Sequence, residues 1–270
     1  MNTKKEIQFI HANGFPPGSY RRLFDGINPS YKIVNFLLEP LYNKLQNNNI
    51  NSWVPIHNEF INSLEERNYR TIGLGHSIGG NLILRSCITN PNYFSKVILL
   101  DPTLFTPKII LFWKASLLLR IHKYIHPWVK ATLRRKMQYE NYESMFKSYR
   151  KKNVFKNIDD SNLSIYINSI TNIGQDGKIN ITYPKEWEYQ IYKSGLIADK
   201  FIWNNINKIQ IPVLIIRSKN SNAFLESSAN KIRAFKKNNI KIHTLDDTTH
   251  LFPLEIPDEI SKIINDFILD

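Results

Sequence analysis

The stretch "TIGLGHSIGGNLILRS", residues 71–86, decides how the chain is read. Thr71, Ile72 and Leu74 lead into a Gly-rich turn, and an apolar run leaves it. The spacing Gly75-x-Ser77-x-Gly79 carries chemical meaning when a strand enters it and a helix leaves it. So tight a corner lifts the serine out of the sheet and presses neighbouring backbones together, so the positions two before and two after must be small. Gly75 and Gly79 meet that demand, and Gly80 adds room. Ser77 then stands at the N-terminus of the next helix, where the N–H of Ile78 lacks an intrahelical partner and faces a developing negative charge. Ser77 is the candidate nucleophile and Ile78 a candidate oxyanion donor. By itself the spacing also suits a serine N-cap on a glycine turn, so the rest of the chain must supply a base.

A serine hydroxyl is a weak nucleophile without one. The seven histidines are His11, His57, His76, His122, His126, His243 and His250. His250 follows an apolar strand, "IKIHTL" (240–245), by a short polar loop, at the carboxyl end of the sheet where ligands bind. His243 is expected to pack within that strand, His57 lies on a helix face, and His122 and His126 fall in a basic region. His76 adjoins the serine, with its ring expected to point away into the loops.

The acid should lie between nucleophile and base along the chain. In "RSKNSNAFLESS" (217–228), Asn222 occupies the position where a carboxylate would be sought, and Glu226 is already in the next helix. Asp101 ends the strand that follows the nucleophile's helix, at the same sheet edge, and is the preferred acid. Glu226 is the alternative, while Asp246 and Asp247 are too near His250 in sequence. After the first strand, "HANGFPPGSY" (11–20) holds the turn Asn13-Gly14-Phe15-Pro16, with the Phe15 N–H as the expected second oxyanion donor.

Around these residues apolar strands at 6–10, 31–37, 70–75, 96–101, 211–218 and 240–245 alternate with amphipathic helices at 53–66, 78–89, 225–238 and 256–269. Such alternation predicts a mostly parallel, doubly wound α/β sheet covered on both faces. The pattern breaks between about 105 and 205, a helical, aromatic stretch without clear apolar strands. The expected division is a core of 1–104 and 205–270 with a helical cap at 105–204.

The length, 270 residues, suits one large domain or a domain carrying an insertion. One cysteine, Cys87, excludes an intramolecular disulfide. The N-terminal apolar run is too short for a signal peptide, and "IILFWKASLLLRI" (109–121) is too short and too charged to span a bilayer. A soluble, cytoplasmic protein is expected. Between Pro107 and Lys152 twelve Lys and Arg face two Glu, so this segment carries +10 of the formal +13.

The chain resembles the α/β-hydrolase superfamily at "HANGFPPGSY", "GHSIGG", "VILLDP" and "HLFPLEIPDEI", and is similar to bacterial hydrolases that begin with a His-Ala-Asn-Gly-Phe-Pro turn. The resemblance covers about 6–104 and 205–268. It implies Ser77 as nucleophile, His250 as base and Phe15 and Ile78 as oxyanion donors, and it departs from the commonest pattern at Asn222. It implies a serine hydrolase acting on a carboxylic ester with an apolar acyl group, through an acyl-enzyme, with no metal or organic cofactor. Thioesterase or C–C hydrolase chemistry on the same residues, and an inactive binding protein on the same fold, are the alternatives. The apolar, basic cap suits an apolar acyl substrate and also the approach to an anionic lipid surface. Nucleic acid is not expected, since no recognition motif accompanies the cations.

Overall fold

The structure, a computed structural model, describes residues 5–43, 50–65, 67, 69–125, 127–195 and 199–270. Of the residues read above, Glu66 and His126 lie outside them.

Among the described residues there are nine strands: β1 Lys5–Ile10, β2 Tyr31–Phe36, β3 Thr71–His76, β4 Phe94–Leu100, β5 Gln138–Tyr139, β6 Thr171–Ile173, β7 Ile179–Ile181, β8 Val213–Ser218 and β9 Ile240–Leu245. Six of them form one sheet in the order β2-β1-β3-β4-β8-β9, all neighbours parallel. The chain winds outward from β1 to β2, then returns to place β3 on the other side of β1. The ends of β1 and β3 therefore flank the point where strand order reverses, and a crevice opens there. β3 and β8 are buried at every position, as continuous apolar runs require, while the edge strands β2 and β9 are only partly covered. His243, expected to pack, is exposed because β9 is an edge.

Helices Val54–Asn62, Ile78–Thr89, Glu226–Arg233 and Pro257–Leu269 cover the two faces near their expected places. One face buries Leu82, Ile83, Val97, Leu99 and Ile215 with Trp53 and Phe60. The other buries Ile7, Phe9, Leu74, Ile98 and Leu100 with Ile260 and Ile264.

The excursion between β4 and β8 is not purely helical. Its helices include Pro107–Leu118, Pro127–Leu133, Tyr142–Arg150, Asp160–Ser169, Lys185–Gly195 and Asp199–Asn205, but β5, β7 and β6 make a second, antiparallel sheet. Strands of two or three residues are too short to show a period. The hairpin's signal was the Asp176-Gly177 pair, where Gly177 takes φ +75°. Nor does the excursion stand apart from the core. Leu163, Tyr166 and Ile167 join Phe9's cluster, and Tyr183, Trp187 and Ile202 join Leu82's.

Candidate active site

β3 ends at His76, and Ser77 turns the chain into the Ile78–Thr89 helix with φ 58° and ψ −117°. A non-glycine residue held there stores about 1–3 kcal/mol of strain. The surroundings enforce it: the Ser77 N–H donates to Leu100 O (3.0 Å), and Ser77 O accepts from Thr103 N (2.9 Å) and Asn81 N (3.1 Å). A Cβ on Gly79 would lie 2.1 Å from Ile10 O, and one on Gly75 would lie 2.4 Å from the Gly79 carbonyl. Backbone approach alone therefore dictates both glycines.

Asp101, at the end of β4, also has left-handed backbone (φ 41°), and its carboxylate is fully buried. His250 Nδ1–H donates to Asp101 Oδ2 at 2.6 Å. The Ser221 hydroxyl donates to the same oxygen (2.5 Å), and the Ser218 N–H reaches Oδ1 (3.4 Å). With its proton on Nδ1, the imidazole keeps Nε2 as its basic nitrogen. The loop that carries Asn222 in place of a carboxylate thus contributes Ser221, a donor to the carboxylate on the neighbouring strand. Sequence reading passed over Ser221, although the pairing of Asn222 with an earlier Asp pointed to that loop. Glu226 is engaged elsewhere, with Arg217 (2.5 Å) and Arg233 (2.8 Å), and Asn222 is exposed at the cavity wall.

Ser77 and His250 line one cavity of about 690 Å³. They share no hydrogen bond in this structure. The Ser77 hydroxyl pairs instead with Thr103 Oγ1 at 3.1 Å.

His76 points into the loops, as expected, and there it meets the candidate base. Its ring lies 4.8 Å from that of His250, centroid to centroid, and its Nε2–H donates to the His250 carbonyl (2.9 Å). Burial, then the neighbouring His250, hold its pKa well below the usual imidazole value, so the ring is neutral.

The Phe15 expectation needs correction. Its N–H donates to Ala12 O at 3.1 Å, closing the turn, and is not available to an oxyanion. Among the described residues the Asn13 N–H has no partner, and Asn13 lines the cavity beside Ser77. His11 secures this loop from inside. Burial lowers its pKa to about 4, so it is neutral; Leu38 N–H donates to Nε2 (3.2 Å), leaving Nδ1–H to donate to Ala12 O (2.8 Å). From the other side, Asn13 Nδ2 donates to Glu188 O (3.0 Å) and Tyr183 OH donates to Asn13 Oδ1 (3.3 Å).

A second cavity, about 230 Å³, also opens on Ser77 and is walled by Trp53, Ile78, Phe105, Ile109, Trp113 and Ile191, among others. His57 and His122 are buried away from Asp101, on Thr89 (3.3 Å) and Tyr189 (3.2 Å). Among the described residues no group of three or more His, Cys, Asp or Glu could hold a metal ion, and no helix is long and apolar enough to cross a membrane.

Solved structures share the fold. A hydrolase of E-2-(acetamidomethylene)succinate superposes with TM-score 0.77 at 15% identity, covering 98% of this chain and 92% of that one. A peroxisomal α/β-hydrolase of Saccharomyces cerevisiae gives 0.72 at 17%, covering 99% and 77%. A thioesterase domain from the curacin biosynthetic pathway gives 0.69 at 13%, covering 98% and 92%. No curated protein matches in sequence. The family model described as serine aminopeptidase S33 matches residues 46–256, a span that holds Ser77, Asp101, His250 and four of the six main-sheet strands, β3, β4, β8 and β9, while β1 and β2 precede it. The chain belongs to that family and is an α/β-fold hydrolase.

Proposed function

We propose that the protein is a serine hydrolase that cleaves a carboxylic ester with an apolar acyl group. The observation that carries this reading is the 2.6 Å bond from His250 to the buried Asp101, with Ser77 on its strained elbow at the wall of the same cavity. Ser77 Oγ attacks the carbonyl carbon while His250 Nε2 takes its proton. The N–H groups of Ile78 and Asn13 receive the oxyanion. His250 returns the proton to the leaving oxygen, and water then releases the acid by the same steps in reverse order. The acyl chain occupies the 230 Å³ cavity, which no charged side chain among the described residues lines.

Peptidase activity on a free amino terminus is less well supported. Such a substrate calls for an unpaired carboxylate near the nucleophile, and the one acid lining the larger cavity among the described residues, Glu188, is held by Arg135 at 2.6 Å. A thioester would use the same groups. Residues 105–204 act as the cap over both cavities, in a cytoplasmic protein. Exposed Leu111, Leu118 and Leu119 beside Lys114 and Arg120 favour contact with an anionic lipid surface, which co-sedimentation with anionic but not neutral vesicles tests.

Replacing Ser77 with Ala is expected to abolish turnover of a short p-nitrophenyl ester and labelling by a fluorophosphonate, with unfolding unchanged. Undiminished turnover in that variant would remove Ser77 from the reaction, and an unlabelled wild-type protein would favour a binding role.

A further inference from the structure

The two cavities at Ser77 differ in charge and in which of them His250 faces. His250 must hand its proton to the departing atom, so the leaving group has to lie on the imidazole's side of the carbonyl. His250 lines the 690 Å³ cavity and does not line the 230 Å³ one. Leaving group and acyl chain are thereby assigned to different spaces.

The leaving-group space is cationic. Arg134, Arg135, Lys136, Lys152 and Lys156 line it, against Glu188 alone. Glu188 is already used by Arg135 (2.6 Å) and by the Thr132 hydroxyl (3.0 Å). Among the described residues, none of Arg134, Lys136, Lys152 and Lys156 makes an ion pair. Arg134, Lys136 and Lys156 are exposed and well solvated, but Lys152 is half-buried, with Nζ 3.6 Å from the centre of the Tyr149 ring. Four cations without counter-charges around one cavity repel one another, and an anion seated among them relieves that repulsion.

Building on the serine-hydrolase reading, we propose that the wider cavity binds a leaving group that carries a phosphate, so that the substrate is an apolar acyl ester or thioester of a phosphorylated alcohol or thiol. Several convergent cations suit a phosphate dianion better than a single carboxylate. The reaction balances with water alone: the bond from acyl carbon to the leaving oxygen or sulfur breaks, His250 protonates that atom, and water adds to the acyl group. A carboxylic acid and a phosphorylated alcohol or thiol result. Burial, and then the charge of Arg135, lower the pKa of Lys152 to about 8, and a phosphate beside it would restore its full charge at neutral pH.

The test uses two substrate pairs with one acyl chain: S-octanoyl-N-acetylcysteamine against S-octanoyl-4′-phosphopantetheine, and 1-octanoylglycerol against 1-octanoylglycerol 3-phosphate. The expected result is a kcat/KM at least about tenfold higher for the phosphorylated member of one pair, an advantage that shrinks as salt is raised. The pair that shows it tells thiol from alcohol. Lys152→Ala, and separately the exposed double variant Arg134→Ala/Lys156→Ala, should each cut the phosphorylated-to-neutral ratio by about tenfold. Equal rates in both pairs, or a ratio untouched by both variants, overturns the proposal. Fluorophosphonate labelling of Ser77 in the same preparation separates the two levels. Labelling without phosphate preference removes the pocket assignment alone, whereas absence of both labelling and turnover removes the hydrolase reading with it.

Discussion

His76 and His250 are joined ring to ring and ring to backbone, and the bond reaches back to the loop that follows β1. Because a carbonyl only accepts, His76 Nε2 must carry the proton it gives to His250 O. Nδ1 of the neutral ring therefore accepts from Tyr20 OH (2.7 Å), and Tyr20 in turn accepts from Ala12 N–H (3.2 Å). A buried relay thus spans from the loop after β1 to the loop that carries His250.

His76→Phe keeps most of the volume and removes both bonds. Activity is expected to fall by about tenfold in kcat with little change in KM, and stability by about 1–3 kcal/mol from the groups left unpaired. Steady-state kinetics and urea unfolding measure the two effects. Wild-type kcat in this variant would mean that the relay does not position the base.

Asp101→Asn should lower kcat by about 10³–10⁴-fold, since an amide no longer favours the proton on Nδ1 of His250. Glu226→Ala should leave kcat/KM within about twofold and lower the urea midpoint, because the buried Arg217 loses a partner. A larger loss of kcat in the Glu226 variant would transfer the acid role to that residue.

Asp199 supplies a pH signature. Burial raises its pKa from 3.8 to about 7, although Asn81 Nδ2 (2.7 Å) and the Phe105 N–H (2.7 Å) donate to it. The folded state binds its proton more tightly than the unfolded chain does. Its contribution to stability is therefore complete below pH 3.8 and is lost as pH rises through about 7. Buried His11 and His57, each lowered to about 4, act in the opposite sense, stabilising above pH 6.5 and losing that effect as pH falls toward 4. Asp199→Asn should accordingly gain stability relative to wild type at pH 8 compared with pH 5, read from urea midpoints. A constant difference between the two curves would show that Asp199 does not titrate in this range.

The six strands of the main sheet were legible because each is rich in apolar residues, interrupted by polar ones in the edge strands β2 and β9, with a turn signal near its end. The placing of Ser77 on a strand-to-helix corner and of Asp101 at a strand end was legible because a Gly-x-Ser-x-Gly corner and a strand-end Asp are local patterns. What escaped depended on where a bond points. Nothing in "HANGFPPG" reveals that Phe15 N–H folds back on Ala12 while Asn13 N–H stays open. His76 looked like a bystander since its partners, Tyr20 and His250, are distant in sequence. β5, β6 and β7 were hidden by brevity, and the exposure of His243 followed from strand order, which periodicity does not encode.

The anchoring of residues 105–204 limits how this hydrolase could be re-engineered. Met145, Leu163, Tyr166 and Ile167 are sunk in the same cluster as Phe9, and four such side chains contribute about 6–12 kcal/mol, comparable with the whole stability of an ordinary domain. Grafting another enzyme's lid in their place would leave a void under the first strand. New substrate preference in this scaffold has to be won by single exchanges at the cavity walls, not by cassette swapping.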